Sequence, residues 1–429
     1  AEGGSPPPAA RGERPRFRRP DAVRGIYLNA WAAGSVARSN AAIELARRTE
    51  INAVVIDLKD ASGLVSYRTR VPLAREIQAD TSARIRDLPG LLRRLEAGGV
   101  YPIARIVIVK DPILTAAHPE LAVQDSAGGA WEDGKGVTWA SLWDRRVWDY
   151  HVALAREAVE AGFPEIQWDY VRFPDGPMSE RERIVYPRAD GRDMTEAVAG
   201  FLEYARAELR AIDPEVQMTA DVFGVTTSAS RDVGIGQLWE DFIRHVDVAL
   251  PMVYPSHYWE GSFGFETPNA FPYEIVRAAL EDAVRRSDTI PGAGRVRPWL
   301  QDFTLGPPRY GAAEVRAQIQ ATYDAGIEEW ILWNPGARYT EAALEPAGGY
   351  PDGWEPVIRI GGRLVPVSKR DEVLAPPADS TVAPAADSTG TPAAVPTGTS
   401  PADSTGAPVP TPPGAASGRT TDQSGPGGP

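Results

Sequence analysis

The chain has 429 residues, 43% hydrophobic and 24% charged, with a formal net charge of −13 and no cysteine. That balance leaves room for one large core or two modest ones. No run approaches the roughly 18 apolar residues of a membrane span, and the lack of cysteine excludes disulfide scaffolds, thiolate metal sites and a thiol nucleophile. The acidic charge argues against a general nucleic-acid binder, which needs clustered Lys and Arg.

Residues 1–20 are Gly, Pro, Ala and Arg with little to bury, and read as a disordered leader whose Arg11–Arg24 run is solvated. The first residue is Ala1 rather than Met, which fits an export signal already removed and an extracytoplasmic location.

From about residue 24 to 336, short β-branched runs alternate with amphipathic segments. Eight strands are predicted: Arg24–Trp31, Asn52–Asp60, Tyr101–Asp111, Glu165–Pro174, Gln217–Gly224, Val246–Tyr254, Val296–Thr304 and Glu328–Gly336. Helices are predicted at Ser39–Glu50, Asp87–Ala97, Arg145–Ala161, Met194–Ile212, Tyr273–Arg286 and Ala312–Ala325, with a stunted last one at Thr340–Leu344. Eight β-then-α units in this length define an α/β chain, best read as a (β/α)8 TIM barrel with enlarged βα loops; an open sheet is the alternative. Val357–Val367 reads as a small hairpin turning at Gly361-Gly362, an appendage that places the domain at 21–370. Residues 371–429 form a Pro/Ala/Ser/Thr-rich tail, predicted disordered, in which Asp-Ser-Thr recurs at Asp379, Asp387 and Asp403; it reads as a spacer.

In such a barrel the chemistry sits where the strands end and the βα loops form one rim. There lie Asp57, Lys59 and Asp60; Lys110 and Asp111; Asp169 and Arg172; Asp221; Tyr254 and His257; Gln301 and Asp302; and Asn334. Side chains alternate across a strand, so Gln167 and Asp169 share one face while Ile166, Trp168 and Tyr170 share the other. The same rule turns Thr219 and Asp221 inward, and Val55, Asp57 and Lys59. Inward carboxylates on adjacent strands can stand within one sugar ring of each other. Such a pair suits glycosidic cleavage, one acid protonating the leaving oxygen and the other attacking carbon or activating water. The plainer reading pairs Asp169 with Arg172 and makes Asp221 a turn cap.

Trp31, Trp131, Trp139, Trp143, Trp259 and Trp333 fall at or after strand ends. Packing accounts for about half of such rings, and the rest suggest a carbohydrate cleft. Loop 118–144 is expected to form one wall and 254–271 the other, with His257 and Glu260 as secondary acid/base candidates. The expected catalytic residues are Asp169 and Asp221. Trp31, Asp57, Lys59, Asp60, Arg172, Tyr254, His257, Asp302, Trp333 and Asn334 are expected to contact substrate. The four histidines make no His-x-His pair, so neither a metal site nor another cofactor is expected. A Schiff-base role for Lys59 or Lys110 is disfavoured by the nearby Asp57, Asp60 and Asp111.

The order RGIYLNAW, VVIDLKDASGLVSY, YPIARIVIVKDP, EIQWDYVRFPDG, ADVFG, PMVYPSHY and LWNPG resembles the bacterial putative glycosyl hydrolase domain family of glycoside-hydrolase-like TIM barrels, over residues 22–340. The most specific segment is Trp168–Pro174. The resemblance implies a catalytic carboxylate at Asp169 and an exported, carbohydrate-directed protein. Several related clans keep a Glu as the partner acid where strand five here offers Asp221. The Asp-x-x-Asp-x-Asp-x-Glu run of chitinase-like barrels is missing, so substrate-assisted hydrolysis of N-acetyl sugars is not expected. The expectation is a glycoside hydrolase with a polysaccharide or oligosaccharide partner and no nucleic acid. The alternative is a non-catalytic carbohydrate-binding or cell-envelope scaffold barrel.

Overall fold

Eight parallel strands close on themselves in the computed structural model, which describes residues 14–189 and 191–374. They are β1 (Arg24–Leu28), β2 (Ala53–Lys59), β3 (Tyr101–Val107), β4 (Glu165–Asp169), β5 (Gln217–Phe223), β6 (Val248–Met252), β7 (Trp299–Gln301) and β8 (Trp330–Trp333). β1 is in register with both β2 and β8, which closes the ring. The strands are shorter than the apolar runs that predict them, because the ends of those runs turn into the loops of the mouth. Strand seven is also split. Arg295–Val296 pairs with β6, Pro298 has no N–H to give the ladder, and Trp299–Gln301 resumes against β8.

The outer helices are α1 (Val36–Arg48), α2 (Leu88–Ala97), α3 (Arg145–Ala161), α4 (Met194–Arg210), α5 (Trp239–Phe242), α6 (Pro272–Ser287) and α7 (Ala312–Asp324). Ser35, Asp87, Asp144 and Asp193 cap α1 to α4, each side chain accepting from a backbone N–H of the first turn. α5 is a single turn that no helical pattern predicts, anchored by the buried Trp239 and Phe242. After β8 the eighth helix is only the 3₁₀ turn Glu341–Ala343.

The core has two layers. Ile26, Val54, Ile56, Ile166, Trp168 and Ala220 face the helices, whereas Tyr27, Val55, Ile103, Leu250, Trp299, Ile331 and Trp333 fill the barrel. Residues 14–20, read from composition as leader, lie against the N-terminal face of the barrel. Phe17 packs against both layers and Arg19 pairs with Glu329. Residues 1–13 and the tail from 375 lie outside the described residues.

β9 (Val357–Ile360) and β10 (Arg363–Pro366) form the antiparallel hairpin. Gly361 and Gly362 both take positive φ (57° and 71°), the conformation a two-residue turn of this hand requires. Ile358 and Ile360 are fully buried in the outer layer and Arg359 reaches Glu314 of α7 at 2.6 Å, so the hairpin belongs to the barrel. The short helix Arg370–Leu374 crosses the predicted tail boundary, with Arg370 on Asp324 at 2.9 Å. Among the described residues no helix is long and apolar enough to cross a membrane.

Candidate active site

Asp169 ends β4 and Asp221 lies at the same level on β5, since Trp168 is in register with Ala220. Both point into the barrel, as the alternation predicts, and between them lies a residue the sequence reading passed over. Arg105 comes from β3, in register with Asp57 of β2. Its Nε reaches Asp169 Oδ2 at 3.0 Å, its Nη2 contacts the same oxygen, and Nη1 reaches Asp57 Oδ1 at 2.5 Å. Nε is also 3.8 Å from Asp221 Oδ2. One buried guanidinium therefore faces three buried carboxylates from three strands.

Each acid has further donors. Asp169 Oδ1 accepts from the Tyr170 N–H at 2.6 Å. Asp221 accepts from Gln167 Nε2 at 2.8 and 3.1 Å and from the Trp299 indole N–H at 2.7 Å. The Tyr27 hydroxyl donates to Asp57, and the Tyr27 ring stacks on Trp333 with centroids 4.1 Å apart.

A single positive charge cannot balance three buried negative ones, so the protonated forms of Asp57 and Asp221 are favoured. Burial, and then the charge on Asp169, pushes the Asp221 carboxyl well above the usual carboxylate range, against the pull of Arg105, Trp299 and Gln167. Burial lifts Asp57 to about 6, opposed by Arg105 and the Tyr27 hydroxyl. Tyr254 is buried beside the pair; burial, then Asp221 and Asp169, raise its phenol far above normal.

The other predicted contacts divide. Trp333 and Tyr254 line the barrel around the acids. His257 follows, with Nδ1 2.9 Å from Ser256 Oγ and its ring against Tyr254 and Phe303; burial lowers its pKa to about 4, leaving it neutral. Arg172 is buried over the rings of Trp139, Tyr170 and Phe223 and pairs with Asp175 at 2.8 Å. Asp60 binds the Ser62 N–H at 2.9 Å in a turn, and its charge reaches Asp57. Trp31 stands on the rim, 40% exposed.

Lys59, Asp302 and Asn334 are turned to structural partners. The β2–β3 register slips between Asp57 and Lys59, and Lys59, fully buried, binds Asp111 and the Val107 carbonyl, each at 2.9 Å. Period-2 alternation places Lys59 inward only if that register holds. Asp302 accepts the Thr340 N–H and hydroxyl at 2.8 and 2.7 Å, and Asn334 donates to the Asp302 carbonyl and accepts from the Gly336 N–H. Together they pin the β8 loop. Trp131, Trp139 and Trp143 are buried as well, their indoles packed under the loops rather than lining a cleft.

Arg105, Tyr27, Gln167 and Trp299 complete the site. Arg105 had a sequence signal: it falls in the inward series with Tyr101 and Ile103, and an Arg inside an apolar strand needs buried acids to partner it. Among the described residues no group of three or more His, Asp or Glu is arranged to hold a metal ion.

A closed parallel barrel with paired acids inside its C-terminal mouth is the arrangement of glycoside-hydrolase-like TIM barrels. The chain belongs to the putative glycosyl hydrolase domain family, whose profile matches residues 25–339. Among solved structures it is similar to a hypothetical protein from Ruminiclostridium thermocellum ATCC 27405, at 38% identity over 46% of this chain and 97% of that one, with a TM-score of 0.42. It is also similar to the PgaB (BpsB) glycoside hydrolase domain from Bordetella bronchiseptica, at 11% identity over 74% and 95%, with a TM-score of 0.50. A third is the alpha-galactosidase TtGalA from Thermus thermophilus, at 14% identity over 82% and 66%, with a TM-score of 0.44. No curated protein matches the chain.

Proposed function

We propose that the protein is an extracytoplasmic glycoside hydrolase that cleaves a polysaccharide, with Asp221 as general acid and Asp169 as the anionic partner at the anomeric carbon. The observation that carries this reading is the shared guanidinium. Asp169 holds two N–H groups of Arg105, while Asp221, next to that charge and buried, retains its proton. A carboxyl that burial keeps protonated, beside a carboxylate bound to a guanidinium, suits the pair to opposite roles. Both touch the same Nε, at 3.0 and 3.8 Å, which favours the short separation of retaining enzymes, about 5–5.5 Å, over the inverting gap of about 6.5–9.5 Å.

A second reading, a carbohydrate-binding barrel without turnover, is favoured by the saturation of Asp221, whose oxygens are already taken by Gln167 and Trp299. Asp169→Asn and Asp221→Asn, assayed against a polysaccharide panel by reducing ends and product masses, separate the two. A hydrolase loses turnover on both changes while keeping polymer affinity. A wild-type protein that binds a polymer and releases nothing from it is the scaffold.

A further inference from the structure

Trp31 lies in the short helix Ala30–Gly34 directly after β1, at the mouth end of the barrel. Its helix neighbours Ala30, Ala32 and Ala33 are buried, but the indole is 40% exposed. The guanidinium carbon of Arg84 sits 3.6 Å from the centre of that ring. Main chain holds the two together. A Cβ at Gly34 would come within 2.1 Å of the Arg84 carbonyl oxygen, so only glycine lets the helix abut the loop there. On the other side Ile85 is buried, and its N–H donates to Ser66 O at 2.7 Å. The main chain at Arg84 is thus fixed from both flanks, and the stack on Trp31 holds its guanidinium.

A guanidinium stacked on an indole uses its face and leaves the N–H donors of its edge free. The other arginine stacked this closely, Arg145 over Tyr204 at 3.3 Å, has Asp149 at 3.2 Å to take them. Among the described residues no carboxylate comes within the 4.0 Å ion-pair distance of Arg84, and its guanidinium makes no hydrogen bond. A rigid, charged, planar donor edge beside an exposed indole fits a sugar carrying a planar anion, the ring against Trp31 and the anion across the fork. The chain's net charge of −13 repels an acidic polymer at long range, so its binding must come from such local donors.

We propose that Trp31 and Arg84 form a rim subsite for the carboxylate of a uronic acid residue, making an acidic polysaccharide the substrate class. The inference rests on the hydrolase reading for the polymer, and on the stacked pair alone for the anion.

The test measures binding by the full chain and does not require turnover. Polygalacturonate, its carboxyl-reduced form and dextran sulfate are compared by affinity electrophoresis with wild type and Arg84→Gln. Arg84 is on the surface, and an unchanged melting temperature certifies the variant. The expected result is binding of polygalacturonate in preference to the reduced polymer, weakened roughly tenfold or more by Arg84→Gln. No binding of polygalacturonate, equal binding of the reduced polymer, or indifference to Arg84→Gln overturns the proposal; Arg84-dependent binding of dextran sulfate alone overturns the carboxylate assignment. Arg84-dependent binding without hydrolysis by wild type would retain the subsite and remove the hydrolase, whereas hydrolysis of neutral polymers only would do the reverse.

Discussion

Arg105 clasps Asp169 by a single oxygen, Oδ2, which takes both Nε at 3.0 Å and Nη2, leaving Oδ1 to the Tyr170 N–H. The carboxylate cannot rotate without breaking one of these contacts, so its direction into the mouth is set by β3 as well as by its own strand. Arg105→Met leaves three buried acids without a cation, and the expected loss is on the order of 3–5 kcal/mol of stability by urea denaturation at pH 7. Arg105→Lys keeps the charge but cannot span Asp57 and Asp169 with one planar group. It is expected to fold with a smaller loss and to lower kcat by at least tenfold on any polymer the wild type cleaves. A lysine variant with unchanged kcat would show that Arg105 supplies charge only.

Asp57 makes the stability of the fold depend on pH in a direction opposite to most paired carboxylates. In the native state its proton is held up to about pH 6, whereas an unfolded Asp releases it near pH 3.9. Between those values the native state binds more protons, so stability falls as pH rises, by on the order of 3 kcal/mol from this group. Asp57→Asn carries no titration there. The difference in unfolding free energy between pH 4 and pH 7 should therefore shift by roughly that amount between wild type and variant; identical differences would remove Asp57 from the linkage.

Lys59 is expected to matter for folding and not for the polymer. It is fully buried against Asp111, with His151 Nε2 3.7 Å from the same carboxylate, on the helix side of the barrel. Lys59→Met strands Asp111 and should cost about 3–5 kcal/mol, while the surviving folded protein binds saccharide as wild type does. A specific loss of affinity with little loss of stability would return Lys59 to the mouth.

These residues also show how far the sequence can be read. Strand alternation brings Asp57, Asp169 and Asp221 inward, and the helix pattern bounds Arg145–Ala161 to the residue. Lys59 escapes the same rule because pairing between strands, not the order of residues along one, decides where a register slips. The loop tryptophans escape it for a related reason. Composition places rings near the mouth, but only the tertiary fold shows that Trp139 gives its N–H to Asp133 at 3.0 Å and lies under the loop. Arg105 is legible in the inward series of β3, where it follows Tyr101 and Ile103 at every second position as Asp169 follows Gln167 on β4.

Residues 14–20 provide a check on the domain boundary. Phe17 touches both core layers and Arg19 pairs with Glu329, which also binds Arg295 and Arg297 at 2.8 and 2.7 Å beneath the barrel. Phe17→Ala is expected to cost roughly 1–3 kcal/mol, since the ring is only partly buried. A chain starting at residue 20 should melt lower than the full chain; equal melting temperatures would make the segment a passive leader.

On the hydrolase reading, the stereochemistry of cleavage gives the most direct view of the acid pair. If Asp169 attacks the anomeric carbon, as its closeness to Asp221 around one nitrogen favours, the first-formed product keeps the configuration of the bond that was cut. Proton NMR during the opening minutes of a digest reads this before mutarotation mixes the anomers. Asp221→Asn should slow the step that expels the leaving sugar, so an aryl glycoside whose phenol needs no proton should be spared most of that loss, while Asp169→Asn should be inactive on both. Inverted product would place a water between the acids at the widest spacing that a common Arg105 Nε allows, and would overturn Asp169 as the nucleophile.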